Sequence, residues 1–463
     1  MHGGLTASTL APPLLRARSS DEFAPPPLGR DQRRAAATAI RIADEHAPRL
    51  GTDRADYLRS RRGTAATLRA LDAAAGPGFY AVPVEAELDA AAADAAFSSG
   101  RLVVDVQTHL VRPSRAHASG AAALFAYLHT VDPGRWAARV DATRLSAAAW
   151  AACVFGGSDT AVALLTSPPG RAAENVLTNQ DIANARAIVD RYAGAGRVLT
   201  HTIVHPNLGE AELDAMAQWH DDLRPAGWKV YTLWSPPERG TRGGWFLDDE
   251  EVGQPFLERA RALGSPVVCA HKGIAGAVAS RAPASASPRD VGPAAVAFPD
   301  LTFVVYHSGY DIDPTEEGPH DADPRRGVSR LVTSLADAGV PPGANVYAEL
   351  GSTWYLMLRR PTEAAHVLGK LLLAVGEDRV LWGTDSVWYG APQPLIDAFR
   401  AFQIPESMRD AFGYPALTDA VKAKILGLNA ARLYGVDITA ALDATPPREW
   451  LAAARQELSA RLA

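Results

Sequence analysis

After Gly100 the chain alternates short apolar runs with stretches of helical composition. The runs are RLVVDVQTH (101–109), TAVALL (160–165), VLTHTIV (198–204), GWKVYTL (227–233), PVVCAH (266–271), TFVVYHS (302–308), NVYAEL (345–350) and VLWGTD (380–385). Each is rich in β-branched or aromatic residues and close to a turn-forming residue, the signature of a strand buried on both faces of a parallel sheet. Eight such strands alternating with helices over about 330 residues predict an α/β fold, a (β/α)8 TIM barrel with long loops rather than an open sheet.

The text before Gly100 follows another pattern. RDQRRAAATAIRIADEHAPRL (30–50) and RADYLRSRRGTAATLRALDAAA (54–75) are Ala-rich and studded with Arg and Asp, and EAELDAAAADAAF (85–97) adds a further helical segment. Residues 1–30, rich in Pro, Ala and Ser, are expected to form a flexible leader that carries no chemistry. The predicted division is a leader (1–30), a helical N-terminal extension (31–100), the barrel (101–436) and a C-terminal helical tail (437–463).

Composition narrows the function classes. Hydrophobic residues make up 47% and charged residues 21%, near the globular average. A formal net charge of −6 without a long Lys/Arg block argues against nucleic acid or an anionic membrane as partner. The two cysteines, Cys153 and Cys269, lie in apolar text, so neither a disulfide framework nor a zinc-finger spacing is expected. The first twenty residues lack the uninterrupted apolar stretch of a signal peptide, and no segment has the length of a membrane span. The expectation is a cytoplasmic protein acting on a small-molecule substrate, and barrels of this kind often pair as homodimers.

Polar residues at the strand ends indicate chemistry, because barrel enzymes place their reactive groups at the C-terminal ends of the strands. The first run ends at His109, the fifth at His271 and the sixth near His307; the seventh carries Glu349 and the eighth ends at Asp385. In the first, alternation puts Asp105, Gln107 and His109 on one face. Lys229 lies inside the fourth run, and Tyr231, Trp234 and Trp354 follow the fourth and seventh as candidates for stacking on substrate. The loop at 308–327, acidic and turn-rich, is a lid candidate.

Asp105-x-Gln107-x-His109, Lys229, His271, His307 and the WGTDS around Asp385, with the closing KAKILGLNAARLYGV (422–436), resemble the amidohydrolase superfamily. The similarity is greatest to the amidohydrolase-related branch that includes aminocarboxymuconate semialdehyde decarboxylase, and it runs from Leu102 to Val436. The resemblance implies one divalent metal, zinc by family, held by His109, His271 and Asp385, with Asp385 also accepting a proton from the attacking water and His307 polarising that water or the substrate. Gln107 stands where the resemblance places another histidine ligand. An amide oxygen is a harder and poorer donor for zinc than imidazole, which makes Mn²⁺ or Fe²⁺ candidates; Gln107 is either a ligand or a hydrogen-bond donor to one. Lys229 is expected near a substrate anion or in a salt bridge to Glu349.

Three functions follow from this reading: a metal-dependent hydrolase that activates water against a small aromatic or carboxylated substrate, a metal-dependent non-oxidative decarboxylase, or a degenerate barrel that only binds.

Overall fold

The computed structural model describes residues 11–20, 22–23, 27–116, 126, 128–130, 142–239, 243–275, 284–313 and 315–463; residues 1–10, 21 and 24–26 of the expected leader lie outside these. The eight apolar runs form eight strands: β1 (Val103–Thr108), β2 (Thr160–Leu165), β3 (Val198–Ile203), β4 (Gly227–Tyr231), β5 (Val267–His271), β6 (Thr302–Tyr306), β7 (Val346–Glu349) and β8 (Val380–Leu381). They lie in sequence order and pair in parallel throughout. The end of β8 returns to β1 through Val106 N to Trp382 O (3.1 Å), Asp385 N to Gln107 O (2.8 Å) and a parallel bridge between Thr108 and Ser386. This is the (β/α)8 barrel that the pattern predicts.

Alternation along the strands makes two cores. Val104, Val106, Val162, Cys269, Val304, Tyr306, Tyr347 and Leu381 form one cluster, while Val103, Ala163, Leu165, Val230, Val268 and Phe303 join a larger one with the surrounding helices. Strand β8 is shorter than its apolar run, although the chain keeps bonding to β1 beyond it as far as Ser386, with Asp385 at a left-handed φ of 59°. Asn429, in the closing motif, donates to the carbonyls of Glu377 (2.8 Å) and Val380 (2.9 Å), and so fixes where β8 begins.

N-terminal helices form in the predicted region, but the 54–75 segment breaks at Ser60 and the 85–97 segment divides into a 3-10 turn (Val84–Glu87) and a short helix (Ala90–Ala96). In helix Arg30–Arg49, Ala35, Ala39, Ala43 and Ala47 recur every fourth position and are buried, a flat stripe that packs against helix Arg61–Ala75. Asp53 and Ser60 cap the next two helices through Asp56 N (2.8 Å) and Gly63 N (3.2 Å). The tail packs helix Pro447–Arg461 on the barrel by burying Trp450, Ala454 and Leu458.

The described part of the expected leader is held in place. Leu14, Leu15 and Phe23 are buried in the main core, and Tyr355 donates a hydrogen bond to Arg16 O (2.8 Å). Three apolar side chains placed among polar residues are enough to dock the segment, although average composition reads as flexible.

Candidate metal and proton-transfer site

The site lies at the C-terminal ends of the strands and begins with an irregularity in β1. Val104 and Val106 belong to the inner cluster, so strict alternation would send Gln107 outward. Between Asp105 and Thr108 the ladder to β2 breaks register, and there Gln107 turns inward, its Nε2 3.1 Å from Asp385 Oδ1 and 3.4 Å from His307 Nε2. The expected sharing of one face by Asp105, Gln107 and His109 through simple alternation does not hold, because the bulge turns Gln107 away from the face of Asp105. Asp105 braces it, accepting from Gln107 N (3.2 Å) and Thr384 N (3.0 Å). Burial pushes the Asp105 carboxyl up to about 7.

Three histidines share one arrangement. His109 Nδ1 donates to Thr166 O (2.9 Å), His271 Nε2 to Ile274 O (3.2 Å) and His307 Nδ1 to Gly351 O (2.7 Å). A carbonyl only accepts, so each outer nitrogen carries a proton and each inner nitrogen is turned toward the cavity. There His109 Nε2 lies 3.1 Å from Asp385 Oδ1, His271 Nδ1 lies 3.1 Å from Glu22 Oε1, and His307 Nε2 lies 3.5 Å from Glu22 Oε2.

Asp385 is the hub. Besides His109 and Gln107, it accepts from the Ser352 hydroxyl, which lies 2.5 Å from Tyr389 OH. His307, Ser308, Ser352 and Asp385 all take positive φ (62°, 53°, 54° and 59°), so backbone strain is concentrated at this site. Gly383 is required by close approach, since a Cβ there would overlap Glu349 Oε1.

The electrostatics follow from burial of several charges together. Burial opposes a charge on His307, but Glu22, Asp385 and Glu349 outweigh it and raise the imidazole to about 9. Burial lowers His271 despite Glu22 beside it. Burial acts to raise Glu22, but the two histidines hold it well below the usual carboxylate range. Glu349, whose Oε2 accepts from His307 N (3.0 Å) and Oε1 from Gly351 N (2.5 Å), is raised by burial to about 7.

Lys229 corrects one expectation. It makes no salt bridge to Glu349, whose oxygens are occupied by backbone N–H groups; its Nζ lies instead 3.4 Å from the Tyr306 ring centroid and 4.6 Å from that of Tyr231. Fully buried and without a hydrogen-bond acceptor, the ammonium is pushed down to about 8 by burial. Tyr231 lies at the site, stacked on His271 with centroids 5.1 Å apart and donating to Ser167 O (3.2 Å).

Trp354 is brought elsewhere. Trp354 donates to Leu395 O (2.9 Å) and packs edge-on against Phe399 and Phe402, because the turn after β7 directs it into the outer core. Trp234, half-buried after β4, packs at a tilt against His205 (ring centroids 4.4 Å apart), whose Nε2 donates to Gly170 O (2.9 Å). The described part of the 308–327 loop is pinned by buried Glu317, which pairs with Lys370 at 2.5 Å.

Sequence reasoning missed Ser352, Tyr389 and Glu22. The first two lie three and four residues beyond Glu349 and Asp385, a proximity that could have marked them. Nothing local marks Glu22, in SSDEF of the leader.

The residues present fit a divalent cation. Among the described residues, ligating atoms of Glu22, His271 and His307 lie within 4.8 Å of one another. Glu22 Oε2, His271 Nδ1 and Gln107 Oε1 are buried without a hydrogen-bond partner. Imidazoles anchored through their outer N–H, with inner nitrogens facing carboxylates, are arranged as metal ligands are.

A model of the amidohydrolase family matches residues 104–436. Among solved structures, the chain is similar to a 5-carboxyvanillate decarboxylase from Novosphingobium aromaticivorans with bound manganese, at 14% identity over 73% of this chain and 97% of that one, TM-score 0.45. It is similar also to a 2,6-dihydroxybenzoate decarboxylase from Rhizobium, at 15% identity over 73% and 99%, TM-score 0.41. An amidohydrolase from Burkholderia multivorans with bound zinc matches at 15% identity over 73% and 100%, TM-score 0.40. No curated protein matches.

Proposed function

The chain belongs to the amidohydrolase family, and on that premise we propose that it is a divalent-metal-dependent hydrolase of a small substrate bearing a carboxylate or another anion. The observation that carries this reading is the common arrangement of His109, His271 and His307, each giving its outer N–H to a backbone carbonyl and turning its inner nitrogen toward a carboxylate. His109, His271 and Asp385 would hold the metal. Such an ion, when bound, lowers the pKa of a water and polarises a substrate carbonyl.

The chain's own residues supply the rest. Asp385, oriented by the Ser352 hydroxyl and Gln107 Nε2, accepts the proton of the attacking water. His307 Nε2 delivers a proton to the leaving group, its ring held by Gly351 O. Lys229 Nζ, with no acceptor of its own, pairs with the substrate anion, and Tyr231 covers it. Phe23 and Tyr389, both buried, keep bulk water out.

Lys229 also favours a second reading, non-oxidative decarboxylation, because a carboxylate would be drawn to the same ammonium. The two reactions separate in ¹⁸O-labelled water on a panel of carboxylated aromatic esters and lactones. Label in the product supports hydrolysis, whereas carbon dioxide release without label overturns it. Absence of bound metal after purification, together with no thermal stabilisation by Mn²⁺, Fe²⁺ or Zn²⁺, would remove both readings. We place the protein in the cytoplasm, working on a small molecule; no described helix is long and apolar enough to cross a membrane.

A further inference from the structure

We propose that Glu22, carried by the segment ahead of the barrel, supplies a second carboxylate to the divalent-metal site and that docking of this segment completes the site. The inference rests on the metal-dependent reading above and adds a ligand from outside the residues matched by the family model, which begin at 104.

Four observations carry it. First, the Glu22 side chain is 11% exposed, and Oε2 has no hydrogen-bond partner. A buried carboxylate oxygen left unpaired is costly, and its neighbours must offset that cost. Second, those neighbours are inner ring nitrogens. His271 Nε2 is committed as donor to Ile274 O, so in the neutral ring Nδ1 presents a lone pair to Glu22 Oε1 at 3.1 Å. His307 Nε2 lies 3.5 Å from the other oxygen, Glu22 Oε2, with its Nδ1 committed to Gly351 O. At His271 the lone pair and the carboxylate repel each other unless positive charge lies between them, and a cation there satisfies both the ring nitrogen and Glu22.

Third, the segment is fastened on both sides of Glu22. Phe23 is 1% exposed and stacks on Tyr389 with centroids 6.2 Å apart; Tyr389 stacks in turn on Tyr355 at 3.8 Å, and Tyr355 OH donates to Arg16 O at 2.8 Å. Glu22 N donates to Ser20 Oγ at 2.9 Å, which sets the backbone direction at the carboxylate. Tyr389 also reaches Asp385 through Ser352, so one chain of contacts joins the docked segment to the other carboxylate of the site.

Fourth, the donor set within the barrel is short of charge. Gln107 is neutral, leaving Asp385 as the anionic member of His109, His271, Asp385 and Gln107. A second carboxylate restores a donor set suited to a harder ion such as Mn²⁺.

Titration of the metal-free full chain with Mn²⁺, followed by calorimetry and water-proton relaxation, tests the proposal. Wild type binds one Mn²⁺, Glu22→Gln raises the Kd about tenfold to a hundredfold and increases the relaxation per ion as water takes the vacated place, and Glu22→Asp falls in between. Equal unfolding temperatures of the metal-free proteins show that the fold persists. A Glu22→Gln Kd within twofold of wild type, with Asp385→Asn losing the ion, overturns the role of Glu22 and leaves the metal-dependent reading standing. Failure of wild type to bind Mn²⁺, Zn²⁺ or Fe²⁺ overturns both. Unchanged Mn²⁺ affinity with higher turnover in Glu22→Gln overturns the proposal in favour of a carboxylate that merely blocks the substrate position.

Discussion

Glu22 Oε1 and His271 Nδ1 lie 3.1 Å apart, one on a Pro- and Ala-rich segment ahead of the helical extension and the other at the end of the fifth barrel strand. The contact makes the N-terminal segment part of the site. Two further experiments concern residues beside that contact, and two concern buried groups elsewhere in the barrel.

Gln107 differs from the histidine that the family resemblance places there, and its Oε1 is buried without a partner. Gln107→His is expected to strengthen Zn²⁺ binding relative to Mn²⁺ by about tenfold or more. Competitive metal titration measures this, and an unchanged Zn²⁺/Mn²⁺ ratio would remove position 107 from the ligand set.

Ser352 links Asp385 to Tyr389 from a backbone at φ 54°. Ser352→Ala and Ser352→Gly both delete the hydroxyl and should lower turnover about tenfold to a hundredfold. Glycine should also relieve the left-handed strain and be about 1 kcal/mol more stable than alanine. Full activity in either variant would show that the hydroxyl does not orient Asp385.

His205 offers a pH test away from the candidate ligands. Burial pushes its imidazole down to about 4, with the hydrogen bond to Gly170 O only partly opposing. The folded chain then binds this proton less readily than the unfolded chain, which takes it up near pH 6.5. The contribution is intact above that pH, declines as pH falls, and levels off below about 4, a loss on the order of 3 kcal/mol. Unfolding free energies of wild type and His205→Gln at pH 7 and pH 4 check it; an equal acid loss in both would refute the assignment.

The buried pair of Glu317 and Lys370, 2.5 Å apart, anchors the loop after β6. Lys370→Met strands a carboxylate and should cost about 3–5 kcal/mol, whereas Lys370→Met with Glu317→Leu should recover much of it. Denaturant unfolding measures the cycle, and additive losses would exclude coupling.

Period and motif made much of the barrel legible. The run TAVALL became β2 without a shift of either end, His271 follows Cys269 on the inner parity of β5, and WGTDS located Asp385; His109 and His307 lie off the inner parity of Val106 and Tyr306 and reach the site through irregular backbone. Trp354 was not legible, because a residue just after a strand turns inward or outward according to the loop, and this loop sends it against Phe399.

The sequence by itself determined the α/β class and the strand order implied by a chain of βαβ units, because strand periodicity is local and acts over a few residues, and it placed His109, His271, His307, Glu349 and Asp385 near strand ends. The tertiary structure decided the rest. The break in register between Asp105 and Thr108 turns Gln107 into the site, and burial of Phe23 brings in Glu22. Both depend on how distant surfaces pack together, which no local pattern encodes.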